Sequence, residues 1–74
     1  MKVTNDEIFG IPTNSFAVSA SETGYTLNYS ADGESFTAYD KQTPAGEVLI
    51  VNGTPKGMSF KLDGNVGDVY IQYW

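Results

Sequence analysis

Apolar and polar side chains alternate along most of the chain, and this alternation predicts β-strands. Phe16 and Val18 alternate with small polar or small apolar residues, and Tyr25, Leu27 and Tyr29 alternate with polar residues in the next segment. A period of two places the large side chains on one face of a half-buried strand. No window of helical length shows an apolar stripe with a period of 3.6 residues, so we expect an all-β chain.

Six main strands are expected, and turn residues separate them. The expected strands cover residues 15–20, 25–30, 36–38, 48–51, 58–63 and 69–74. A spacing of roughly 8 to 12 residues is typical of β-sandwiches and small barrels. We therefore expect a small antiparallel β-sandwich or jelly-roll-like barrel of about six to seven strands, with residues 15–74 forming one domain.

Two segments of this domain have a more specific pattern. Residues 48–51 are Val-Leu-Ile-Val, and because they are apolar on both faces they predict a central strand. Residues 31–34 predict a four-residue hairpin connection in which Gly33 adopts a positive φ. Tyr29 and Phe36 flank this connection and are expected in the core, whereas Asp32 is expected to serve the turn.

The first 14 residues lack a clear period, and two interpretations remain open for them. Ile8, Phe9 and Ile11 form an apolar patch that ends at Pro12, a residue that is disfavoured in a central strand. The segment is either an edge strand or frayed tail, or an arm that docks on a neighbouring molecule.

Composition argues against catalysis. The chain of 74 residues contains no cysteine and no histidine, so the commonest nucleophiles, general bases and soft metal ligands are missing. Its acidic residues fall mainly in predicted turns, where carboxylates also serve turn geometry and solubility. We expect no enzyme activity, no catalytic residue and no cofactor.

One acidic turn is a candidate metal site. Residues 63–68, Asp-Gly-Asn-Val-Gly-Asp, are rich in oxygen ligands that suit calcium. They lack the spacing and the bidentate glutamate of an EF-hand loop, so a polar turn is the favoured interpretation and no metal is expected.

The charge balance restricts the partners. The net charge is −5, and all four basic residues are lysines. Nucleic acids and anionic lipids both require clustered positive charge, so we expect neither as a partner. No apolar run reaches the length of a membrane span, and the N-terminus lacks the apolar region of a signal peptide. Synthesis in the cytoplasm without secretion by a signal peptide is therefore expected.

Aromatic residues are frequent, at 14% of the chain, and several of them are candidates for binding. Tyr39, Tyr70 and Trp74 fall outside the simplest inward register of their strands. Exposed aromatics anchor protein interfaces or stack on sugars, although they can also flank a core. The predicted interface residues are Ile8, Phe9, Ile11, Tyr39, Tyr70 and Trp74.

The hairpin sequence Tyr-Ser-Ala-Asp-Gly-Glu-Ser-Phe-Thr at residues 29–37 resembles a hairpin of discoidin-type β-sandwiches. A longer resemblance covers residues 25–73 and includes Tyr-Ser-Ala-Asp-Gly, Thr-Pro-Ala-Gly-Glu, Val-Asn-Gly and Phe-Lys-Leu. In these motifs the chain is similar to small proteins encoded beside the head genes of tailed phages and prophages of gut bacteria.

The second resemblance implies a role on the virion. Proteins of this kind look like capsid decoration or head-fibre subunits, so the expected function is non-enzymatic binding to capsid protein, another virion protein or a neighbouring copy in a homo-oligomer. The expected location is the virion. The discoidin-like hairpin implies the alternative, a carbohydrate-binding or adhesion module with a glycan as its partner.

Overall fold

The strands account for most of the regular structure of the chain. The structure, a computed structural model, describes residues 1–20, 23–64 and 69–74. The strands in chain order are β1 (Lys2–Val3), β2 (Ser15–Ser19), β3 (Thr26–Ser30), β4 (Thr37–Ala38), β5 (Val48–Asn52), β6 (Ser59–Asp63) and β7 (Val69–Tyr73). Within the described ranges, nothing forms a helix of the length and apolar character that crossing a bilayer requires. The expected all-β class is confirmed.

The seven strands form two antiparallel sheets. One sheet has four strands in the order β1-β7-β2-β5, and the other has three strands in the order β4-β3-β6. Among the described strands, only β3 and β4 are neighbours both in the chain and in a sheet. Most pairings therefore join distant segments, which the local sequence pattern does not specify.

The core lies between the inner faces of the two sheets. Phe16 and Val18 on β2 and Leu62 on β6 are fully buried. Leu27 on β3 and Phe60 on β6 are almost completely buried. The rings of Phe16 and Phe60 meet across the sheets with their centroids 4.9 Å apart. The predicted inward positions of Phe16, Val18, Leu27, Phe60 and Leu62 are thereby confirmed. On β3 the pattern is less simple, because Asn28 and Ser30 on the opposite face are buried as well and Tyr29 is only half-buried.

Tyr25 joins the two sheets through its hydroxyl group. The side chain is buried just before β3, and the hydroxyl donates a hydrogen bond of 3.1 Å to the carbonyl oxygen of Val18 on β2. Burial raises the pKa of the Tyr25 hydroxyl above its usual value. The neutral tyrosine thus provides a polar contact inside an otherwise apolar core.

The structure corrects the expected role of Phe9. Its side chain is only 7% exposed. The centroid of its ring lies 5.8 Å from that of Phe60 and 6.5 Å from that of Phe16. Phe9 and Phe60 also exchange backbone hydrogen bonds of 2.9 and 2.8 Å, and the Asp6 N–H donates to the Leu62 carbonyl at 2.8 Å. Phe9 is therefore a core residue that attaches the N-terminal segment to β6, and it is not available as an interface anchor.

The structure also corrects the position of β5. The strand lies at the edge of the four-stranded sheet, where it pairs with β2 alone among the described strands. Val51 faces the core, but Val48 and Ile50 are each 56% exposed. The central position predicted from the apolar sequence is wrong, because among the described strands β5 has a neighbour on one side only. In addition, its outward apolar side chains have no cover within the described part of the chain.

Candidate binding surfaces

The largest group of exposed apolar side chains lies on the outward side of the four-stranded sheet. We call this surface the outer face and define it by Ala17, Ser19, Val48, Ile50, Tyr70, Gln72 and Trp74, with the exposed Lys2 of β1 opposite Tyr70 at its margin. Successive side chains of a strand point to opposite sides of the sheet, so the alternation that buries Val18, Val51 and Ile71 directs their neighbours outward. Contiguous exposed apolar patches of this kind mark binding surfaces.

Strand register gives the outer face a shallow groove. Ser19 on the central strand β2 lies opposite Val48 on β5 and opposite Tyr70 on β7. Ala17 lies opposite Ile50 in the same way. The small residues of β2 thus form a floor between two larger rows, and the groove beside Tyr70 and Val48 has a volume of about 260 Å³.

Two predicted interface residues lie on this face. Tyr70 is 61% exposed and Trp74 is 57% exposed. The Trp74 N–H donates to the Ser15 carbonyl oxygen at 3.2 Å, which continues the pairing of β7 with β2 past the last strand residue. Because Trp74 is four residues after Tyr70, the alternation of β7 directs both side chains outward.

Sequence reasoning missed Val48 and Ile50 as surface residues. The sequence signal for these two residues is the run of apolar side chains at residues 48–51, a pattern that predicts a buried central strand. An edge strand with one uncovered apolar face has the same pattern. Strand order decides between the two, and the sequence of a single strand does not contain it.

The other predicted residues lie elsewhere. Ile8 is exposed beside the buried Phe9, and Ile11 is half-buried and packs against the core. Tyr39 is 45% exposed and follows β4, where its N–H donates to the Leu27 carbonyl at 2.8 Å. The predicted residues therefore do not form one continuous site.

Tyr39 lines a second candidate site, a cleft of about 300 Å³ that we call the intersheet cleft. Its residues are Tyr29, Tyr39, Val51, Asn52, Gly53, Thr54, Pro55, Met58 and Phe60. The two tyrosines come from the three-stranded sheet side, and the β5–β6 connection provides most of the opposite wall. The volume is at the lower end of the range of about 300–1,000 Å³ for small-molecule pockets.

One polar atom near this cleft has an unmet hydrogen-bonding capacity. The Thr54 Oγ1 is buried and has no hydrogen-bond partner in the described part of the chain. Its backbone N–H, in contrast, donates to the Asn14 carbonyl at 2.8 Å. Buried polar groups are nearly always paired with a protein group or an ordered water molecule.

The Asp-Gly hairpin has the geometry of a turn. The Asp32 Oδ1 accepts hydrogen bonds from the Ser30 hydroxyl at 2.7 Å and from the backbone N–H groups of Glu34 and Ser35 at 2.8 and 3.0 Å. These bonds, with the Ser30 hydroxyl foremost, lower the pKa of Asp32 to about 2. The connection spans residues 31–36 and not the predicted 31–34, because β4 begins only at Thr37.

The described residues contain no group of three or more His, Cys, Asp or Glu side chains that could hold a metal ion. Of the acidic turn considered above, Asp63 and Gly64 are described, whereas residues 65–68 lie outside the described residues.

Comparison with known proteins provides no identity for the chain. No protein-family model, curated protein or solved structure matches it.

Proposed function

We propose that this protein is a non-enzymatic binding subunit that attaches to another protein through its outer face. The observation that supports the proposal is the presence of Tyr70 and Trp74, both more than half exposed, on the same side of one sheet. Tryptophan and tyrosine are the side chains most enriched among the residues that dominate interface energy. The groove beside Tyr70 offers space for an apolar side chain of the partner.

The partner that we propose is a capsid protein or another virion protein. This finer assignment comes from the resemblance to small proteins encoded beside phage head genes. The acidic net charge of −5 suits a subunit that keeps a particle soluble, while the apolar outer face is covered by the capsid. Many weak copies on a symmetric particle would remain attached through avidity.

Binding to empty phage heads tests this function. The heads are assembled from the major capsid protein encoded in the same gene neighbourhood, and a neighbourhood without head or tail genes would contradict the virion assignment. We expect saturable binding of the wild-type protein. Tyr70→Ala and Trp74→Ala should each weaken binding about 30-fold, which is the loss that a 2 kcal/mol anchor produces.

Tyr39→Ala is the matched control, because it removes another exposed tyrosine that lies away from the outer face. Equal losses for Tyr39→Ala and Tyr70→Ala would contradict the proposed surface. Circular dichroism of every variant verifies that the fold is retained.

The intersheet cleft supports a second candidate function, carbohydrate binding. Tyr29 and Tyr39 provide aromatic walls, Asn52 provides an amide, and the buried Thr54 hydroxyl has no partner among the described residues. A glycan array probed with the wild-type protein tests this candidate. Binding that is lost in Tyr39→Ala and retained in Trp74→Ala would favour it, and the absence of any glycan signal would exclude it.

A further inference from the structure

The two sheets have four edges, and three of them are poorly suited to further strand pairing. β1 and β4 are only two residues long, and β1 includes the charged Lys2. The edge at β6 is occupied by the N-terminal segment through the paired backbones of Phe9 and Phe60. Short strands, charged side chains and covering segments are the devices by which proteins prevent edge-to-edge association.

The fourth edge, β5, has none of these devices among the residues that the structure describes. It is five residues long, it contains no charged residue and no proline, and no other described strand pairs with its free side. Its outward side chains Val48 and Ile50 are exposed and β-branched, and they are continuous with the outer face. A strand of this kind presents unpaired N–H and C=O groups as a template for another strand.

We infer that β5 is the self-association edge of this protein, and that its occupant is the β5 strand of a second copy in antiparallel pairing about a twofold axis at Ile50. This inference goes beyond the proposed function, which concerns Tyr70 and Trp74. The twofold pairing joins two four-stranded sheets into one continuous sheet with one continuous outer face.

The sequence of β5 is self-complementary in this register. Ile50 faces Ile50 of the second copy, Leu49 faces Val51, and Val48 faces Asn52. The Ile50 pair extends the apolar outer face across the axis and the Leu49–Val51 pairs extend the inner face, whereas Val48 lies opposite the polar Asn52. Glu47, the nearest charged residue before the strand, lies opposite Gly53, so no two carboxylates are opposed.

The expected dimer is weak. Pairing through one five-residue strand buries less surface than the roughly 800 Å² per partner of a standard interface. We therefore expect sedimentation equilibrium to show a monomer–dimer equilibrium between about 10 μM and about 1 mM protein. Ile50→Lys, which opposes two like charges at the axis, should weaken dimerisation about tenfold or more.

Cysteine trapping tests the register directly, because the natural chain has no cysteine. Directly opposed residues of antiparallel strands have Cα atoms about 4.5–5.5 Å apart, which is within disulfide range. With oxidised glutathione as the oxidant, Ile50→Cys should form a disulfide-linked dimer rapidly. Val48→Cys, which lies opposite Asn52, and Tyr70→Cys, which lies two strands away on β7, are the equally exposed controls.

The outcomes separate this inference from the proposed function. A monomer throughout the concentration range, or equal trapping of all three cysteine variants, would overturn the β5 dimer while leaving head binding through Tyr70 and Trp74 unaffected. Conversely, a dimer that is weakened by Ile50→Lys but not by Tyr70→Lys would support the inference even if the protein does not bind heads.

Discussion

Replacing Phe9 with alanine tests whether the N-terminal segment belongs to the folded core. The Phe9 ring is 7% exposed and contacts the rings of Phe16 and Phe60. Truncating a buried phenylalanine typically destabilises a protein by about 3–5 kcal/mol, because apolar contacts are lost and a cavity remains. Phe9 lies near the lower end of this range, at about 3 kcal/mol, since it belongs to a segment at the sheet edge that can partly relax.

This loss is large for a chain of this length. At about 0.05–0.15 kcal/mol per residue, the whole free energy of unfolding is about 4–11 kcal/mol for 74 residues. A decrease of about 3 kcal/mol corresponds to a fall in Tm of about 12–24 °C for a domain of this size. Phe9→Ala should therefore remove a substantial fraction of the stability.

The assay is urea denaturation of wild type, Phe9→Ala and Ile8→Ala, followed by circular dichroism. Ile8 is adjacent to Phe9 but 53% exposed, so Ile8→Ala should change the free energy of unfolding by less than about 0.5 kcal/mol. If the two variants differ by less than about 1 kcal/mol, the reasoning that places Phe9 in the core is refuted.

Three further predictions concern the turn and the core. NMR titration should give a pKa of about 2 for Asp32, and Ser30→Ala should raise this pKa toward 3.8. Because folding lowers the pKa of Asp32, the stability that its carboxylate provides is complete above about pH 4 and declines as the pH falls toward 2. Gly33→Ala should lower the free energy of unfolding by about 1 kcal/mol, because the φ angle of Gly33 is +79°. Gly10→Ala is the control in the same urea assay: its new methyl group meets no atom closer than 3.8 Å, so the free energy of unfolding should change by less than about 0.5 kcal/mol. Tyr25→Phe should lower the free energy of unfolding by about 1–2 kcal/mol through loss of the hydrogen bond between the sheets, and an unchanged urea midpoint would contradict this role.

The sequence predicted those parts of the fold that depend on local pattern. The inward positions of Phe16, Val18 and Leu27 follow from the period of two, and the turn at Gly33 follows from the conformational freedom of glycine. Each of these features is a property of a few consecutive residues, so a single sequence is sufficient to predict it.

The features that the sequence did not predict depend on strand order. The apolar run at residues 48–51 fits a central strand and an edge strand equally well until its neighbours are known. The burial of Phe9 also depends on strand order, because Phe16 and Phe60, which its ring contacts, lie on strands that are distant from it in the chain. The sequence predicts that Tyr70 and Trp74 are surface candidates, but it does not place them on the same face as Val48. That placement follows from two registers, that of β7 with β2 and that of β2 with β5.

Radical footprinting of the free and the head-bound protein provides the most direct test of the proposed binding surface. Hydroxyl radicals modify exposed aromatic side chains, and mass spectrometry measures the modification rate of each residue separately. Tyr70, Trp74 and Tyr39 are all exposed in the free chain, but only the first two lie on the outer face. We expect binding to slow the modification of Tyr70 and Trp74 and to leave the modification rate of Tyr39 unchanged. Protection of Tyr39 alone, with Tyr70 and Trp74 modified at their free rates, would contradict this expectation.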